Sequence, residues 1–131
     1  MSALHYTILK FFEARMDEHD CVEAFTRLPV EGEYVYLIER THGRSAINVL
    51  LSDAYRFGVA DFLGRPGEIG KGDFILIAKP HGDCDDESVA RARREGIGLG
   101  DIRKLMGALN LGDVSKYLTP AEKEAQKGRR N

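Results

Sequence analysis

The densest set of potential metal ligands in the sequence is His81, Asp83, Cys84, Asp85, Asp86 and Glu87. Imidazole, thiolate and carboxylate are the side chains that bind divalent metals, and the cluster follows an apolar run, at the strand end where α/β proteins tend to place ligands. A calcium loop is excluded, because Ser88 and Arg94 stand where such a loop needs glycine and glutamate. A zinc site would need His81 and Cys84 with two distant partners such as His42 or Cys21. The simpler reading is a solvated helix N-terminus, whose dipole stabilises each acid by about 0.3–1 kcal/mol. A second constellation is Asp53-Ala54-Tyr55-Arg56-Phe57-Gly58 with Asp61. There Arg56 suits a phosphate or carboxylate, and Tyr55 or Phe57 could stack on a base. The competing account packs Phe57 and Phe62 under a sheet and pairs Arg56 with Asp53 or Asp61. Arg91, Arg93, Arg94, Arg103 and Lys104 concentrate positive charge in the second half, with Arg91 and Arg94 on one helix face. Arg56, Arg91, Arg94 and Lys104 are therefore the candidate nucleic-acid contacts. Glu87, Glu95 and Asp101 dilute that charge toward an ordinary solvated face. The glycines of 64–72 miss the phosphate-loop spacing, since Arg65 and Gly72 occupy its first glycine and its Ser/Thr position.

The elements that must position these groups follow from composition and pattern. The chain has 131 residues, 43% hydrophobic, with 19 Lys and Arg against 21 Asp and Glu. That length fits one domain with a real core, and the hydrophobic content excludes wholesale disorder. A net charge of -2 removes the simplest argument for nucleic-acid binding, a strongly basic domain. No apolar run reaches the roughly 20 residues a membrane helix needs, and no secretory signal pattern is evident, so the expectation is a cytoplasmic protein without a membrane partner. Two cysteines are too few for a disulfide framework.

Leu4, Ile8, Phe11, Phe12 and Met16 recur at helical spacing, so an amphipathic helix is expected first. Residues 21–28 are β-tolerant, and Pro29 and Gly32 then punctuate the chain. Tyr34–Ile38 and Ile47–Leu51 read as a hairpin around Thr41-His42-Gly43-Arg44. Residues 54–63 read as a short helix or an irregular excursion, ended by Gly64-Arg65-Pro66-Gly67. Phe74–Ala78 is wholly apolar, as a strand buried on both faces would be. Asp85 or Asp86 caps a helix that Gly96 closes, Ile97–Leu99 is a minimal strand, and Asp101 caps a helix to Leu109. Strand, helix and strand in so short a span is a βαβ unit with parallel strands. The expected fold is α/β, a small mixed sheet with helices on both faces. The expected domain is 1–111, with 112–131 a flexible C-terminal tail. Leu105, Met106, Leu109 and Leu111 fit core packing most simply, and a homodimer face otherwise.

This order (α-β-β-β-α-β-α), with Gly72-Asp73-Phe74-Ile75-Leu76-Ile77-Ala78, an Ala- and Arg-rich helix and Gly96-Ile97-Gly98-Leu99, resembles the restriction-endonuclease-like fold of the PD-(D/E)XK superfamily, in its Mrr-like branch. The resemblance implies a divalent-metal nuclease, in which an acid on the second meander strand and an acid-x-Lys triplet on the third hold Mg²⁺ and activate water. Here the triplet is absent: Ile47–Leu51 offers only Asn48 as a polar member. Glu39, Asp53 and Glu13, with Asp61, are the acids left as candidate catalytic residues. The resemblance without the lysine implies a degenerate, non-catalytic module that binds nucleic acid or a protein partner and needs no cofactor. The alternatives are a nuclease with migrated acidic ligands, requiring Mg²⁺, and a sensor of a small molecule such as a nucleotide.

Overall fold

The computed structural model describes residues 4–129. Helix α1 (Tyr6–Glu18) opens the fold, capped by the His5 side chain, which accepts the Thr7 N–H at 3.1 Å. Three strands form an antiparallel meander: β1 (Val22–Leu28), β2 (Val35–Arg40) and β3 (Ile47–Ser52). The segment expected to be helical or irregular is a short strand β4 (Arg56–Phe57) followed by helix α2 (Val59–Leu63). Strand β5 (Phe74–Ile77) is buried at every position and runs parallel to β3. A two-residue strand β6 (Asp83–Cys84) pairs with β4 in a separate parallel ribbon. Helix α3 (Asp86–Arg94), strand β7 (Gly98–Gly100) and helix α4 (Ile102–Ala108) complete the crossover. The main sheet is mixed, in the order β1-β2-β3-β5-β7, with helices on both faces. This is the expected α/β class.

Strand alternation divides the core into two layers. On one face Tyr36, Ile38, Val49, Leu51, Phe74 and Leu76 meet Phe12 and Met16 of α1 and Leu105, Ala108 and Leu109 around α4. On the other Val35, Leu50, Ile75, Ile77 and Leu99 meet Phe57, Phe62, Ile69 and Ala92 beneath α2 and α3. Leu105 and Leu109 are fully buried, so these leucines complete the core instead of forming a dimer face.

The expectation of a flexible tail from residue 112 is corrected. A 3-10 turn (Val114–Lys116) and helix α5 (Pro120–Arg129) fold back onto the body. Val114 and Ser115 are buried, and the Glu122 carboxylate reaches Lys104 at 3.0 Å and Arg93 at 3.1 Å. Low apolar density hid this because the segment docks by Val114, the partly buried Tyr117 and an ion-pair cluster. Of the expected tail, Arg130 and Asn131 lie outside the described residues.

Arg40 shows how tightly this end is tied. It is 5% exposed, yet donates to the carbonyls of Ser45, Leu109, Leu111 and Gly112 at 2.6–3.2 Å. Those carbonyl dipoles replace the water it gave up and clamp the hairpin turn to the end of α4.

Candidate functional site

The four candidate acids do not meet. Glu13 on α1 accepts the Tyr36 hydroxyl at 2.6 Å on the first face of the sheet. Burial, and then that carboxylate, push the Tyr36 hydroxyl well above its ordinary range. Glu39 lies at the turn end of the hairpin, opposite Ala24, whereas Asp53 follows β3 at the open end. Asp61 caps α2 by accepting the Gly58 N–H at 2.9 Å. Among the described residues, no group of three or more His, Cys, Asp or Glu side chains is arranged to hold a metal ion.

Asp53 and Asp61 do line one cleft of about 240 Å³ between the open end of the hairpin and α2, together with Glu33, Tyr34 and Arg65. Glu33 is the member that sequence reasoning missed. Partial burial, and then the Asp53 carboxylate, push Glu33 above the ordinary carboxylate range. The signal was available: antiparallel pairing of Val35 with Leu50 sets the residues before β2 beside those after β3. Arg65 is fixed across the cleft floor, donating to the Phe62 and Ile69 carbonyls at 3.0 Å with its guanidinium 4.2 Å from the Phe62 ring centre. The cleft thus offers paired carboxylates without a lysine in the lining.

The cluster after β5 resolves into structural duties. Asp85 caps α3 through the Ser88 N–H at 2.7 Å, and Asp83 and Cys84 form β6. Burial pushes the Cys84 thiol up to about 11, so it stays protonated at neutral pH. Phe57 and Phe62 are buried in the core while Tyr55 is exposed, so of the two rings offered for stacking only Tyr55 is reachable.

The candidate nucleic-acid contacts divide similarly. Lys104 is buried beneath Glu122, which removes it from the set. Arg56 is exposed on β4, opposite Asp83 at the N-terminal end of α3. Arg91 and Arg94 lie at the other end of that helix, and Arg91 pairs with Glu95 at 3.3 Å. Arg94 lines a groove of about 560 Å³ with Lys71, Arg93 and Lys116, between α3 and the docked C-terminal segment. None of the ion pairs among the described residues uses Lys71, Arg94 or Lys116. The groove's two acids are engaged elsewhere: Glu95 with Arg65 and Arg91, and Asp113 with the N–H and hydroxyl of Ser115. Lys71 and Lys116 were not singled out from sequence, since they come together only when residues 113–129 dock.

The molecule is therefore a small α/β protein with a five-stranded mixed sheet, one acid-lined cleft and one basic groove. Compared with known proteins, the chain matches no family model, no curated protein and no solved structure.

Proposed function

We propose that this chain is a non-catalytic module of restriction-endonuclease-like build that binds the phosphate backbone of nucleic acid in the groove of Lys71, Arg94 and Lys116. The observation that carries the reading is the convergence on one groove of three cations that have no ion-pair partner among the described residues, with Arg93 beside them. Phosphate oxygens match such a set, because each contact replaces condensed counterions. The restriction-endonuclease-like part rests on the element order: a helix, a three-strand meander, a buried parallel strand and a helical crossover to β7. Its non-catalytic state is supported by the separate duties of Glu13 and Asp61, by the placement of Glu39 at the closed end of the hairpin, and by the missing lysine on β3.

Fluorescence anisotropy with single- and double-stranded DNA and RNA, titrated across salt, tests the reading. Three phosphate contacts give a slope of log affinity against log salt of about -2 to -3. Arg94→Glu combined with Lys116→Glu is expected to abolish binding while thermal unfolding stays close to the parent. Absence of binding to every substrate at low salt sinks the proposal. Cleavage in Mg²⁺ or Mn²⁺ that disappears in Asp53→Asn would replace it with the nuclease reading.

A further inference from the structure

The helices that follow two of the parallel strands lie on opposite faces of the sheet. Strand β5 is the neighbour of β7 and runs parallel to it. From the end of β5 the chain passes through a turn and β6 into α3, whose Ala92 belongs to the second core layer. From the end of β7 it passes directly into α4, whose Leu105 and Ala108 belong to the first. Where neighbouring parallel strands send their connections to opposite faces, a crevice opens outside their carboxyl ends, and α/β proteins bind ligands there. This chain has such a crevice, a cavity of about 480 Å³ lined by residues 76–82 and 101–103. That volume falls within the roughly 300–1,000 Å³ of small-molecule sites. Helix α1 closes the third side, and the apolar walls are Ile8, Phe11, Phe12, Leu76 and Ile102. Phe12 and Leu76 belong to the buried core, whereas Phe11 is 55% exposed and gains cover only from a guest.

The charged and titratable residues of the lining are mostly basic. Lys79, His81 and Arg103 are exposed there, and none belongs to an ion pair among the described residues. The acid of the lining, Asp101, is engaged as the cap of α4, accepting the Lys104 N–H at 3.0 Å. His81 holds its place at a backbone cost. The Gly82 N–H donates to the Lys79 carbonyl at 2.8 Å, closing a turn with Pro80 and His81 at its centre. His81 has φ 60°, the left-handed region where glycine is usual after proline in such a turn. We propose that this crevice binds an amphipathic anion, its apolar body against the walls named above and its carboxylate held by Lys79, His81 and Arg103. A medium-chain fatty carboxylate is the simplest member of that class. The walls alone would accept an uncharged guest and the basic residues alone any small anion, so their combination selects a ligand with both parts. Lys71 and Arg94 of the basic groove precede β5 and β7, at the opposite end of the same strands, so the inference is independent of nucleic-acid binding.

Calorimetric titration with octanoate, below its micelle-forming concentration, tests the proposal, with octanol and acetate as partial ligands. Octanoate is expected to saturate a single site. Octanol, which lacks the charge, and acetate, which lacks the body, are each expected to bind about tenfold more weakly or worse. Lys79→Glu combined with Arg103→Glu is expected to weaken octanoate about tenfold while leaving octanol unchanged. Phe11→Ser is expected to weaken both about fivefold. All three positions are exposed, so circular dichroism of these variants should match the parent. His81→Gly relieves the left-handed backbone, so it is expected to keep or raise the melting temperature while weakening octanoate. Absence of saturable octanoate binding overturns the proposal. So does equal binding of octanoate and octanol, or an octanoate affinity that neither Phe11→Ser nor the double charge exchange alters. Displacement of octanoate by single-stranded DNA would assign Lys79 and Arg103 to phosphates and overturn it as well.

Discussion

At the scale of the residue, Glu122 carries the clearest consequence. Burial raises its pKa, but the Thr119 N–H, Lys104 and Arg93 outweigh that and hold it at about 2, below its ordinary 4.5. A carboxyl depressed on folding contributes stability that is complete above about 4.5 and is lost as pH falls toward about 2. A gap of that size corresponds to about 3 kcal/mol at neutral pH, with the side chain three-quarters buried. Glu122→Gln is therefore expected to lower stability by about 2–3 kcal/mol at pH 7. The deficit should shrink on acidification and vanish near pH 2. Urea unfolding followed across that range checks both the size and the sign. Glu33 has the opposite sign: its proton is held more tightly in the folded chain, so its ionised form opposes folding at neutral pH. A carboxylate kept at such a cost beside Asp53 singles out the hairpin cleft from the solvated acids elsewhere.

At the scale of the element, strand β7 fits because two of its three residues are glycine. A Cβ at Gly98 would overlap the Phe74 ring of the neighbouring strand, and one at Gly100 would overlap the Lys104 stem. Gly98→Ala is expected to cost about 1–3 kcal/mol, read as a lower urea midpoint. Gly67→Ala, which meets nothing within 4 Å, should leave the midpoint unchanged. The buried run Phe74–Ile77, the hairpin strands and the capped helices were legible because periodicity and caps are local signals. The same hairpin already contradicted one expectation about the site. An antiparallel pair joined by residues 41–46 sets Glu39 at its closed end and Asp53 at its open end, so these acids could not share a metal. The register also brings in Glu33, which no motif marks. Two-residue strands such as β4 and β6 carry no pattern of their own and appear only once the chain has folded.

At the scale of the whole molecule, the C-terminal segment decides whether the domain is complete. Its composition reads as polar and frayed, because the apolar contribution rests on Val114 and the partly buried Tyr117. The remaining contacts are ionic and long-range, which a single sequence does not reveal: Glu122 with Arg93 and Lys104, and the Gly112 carbonyl with Arg40. Ending the chain after Leu111 would leave the Lys104 ammonium, 7% exposed in the intact fold, without its carboxylate. Stranding a buried charge costs about 3–5 kcal/mol. Uncovering Val114's side of the core adds roughly 1–3 kcal/mol. Against a total stability of about 5–15 kcal/mol, that loss removes much of the margin. A chain of residues 1–111 is therefore expected to bind a hydrophobic dye and lose its cooperative thermal transition, while Lys104→Met in the same truncation recovers part of it. A truncated chain that melts as sharply and as high as the parent would show that residues 112–129 ride on a domain already finished without them. The basic groove would then be an appendage instead of a built surface.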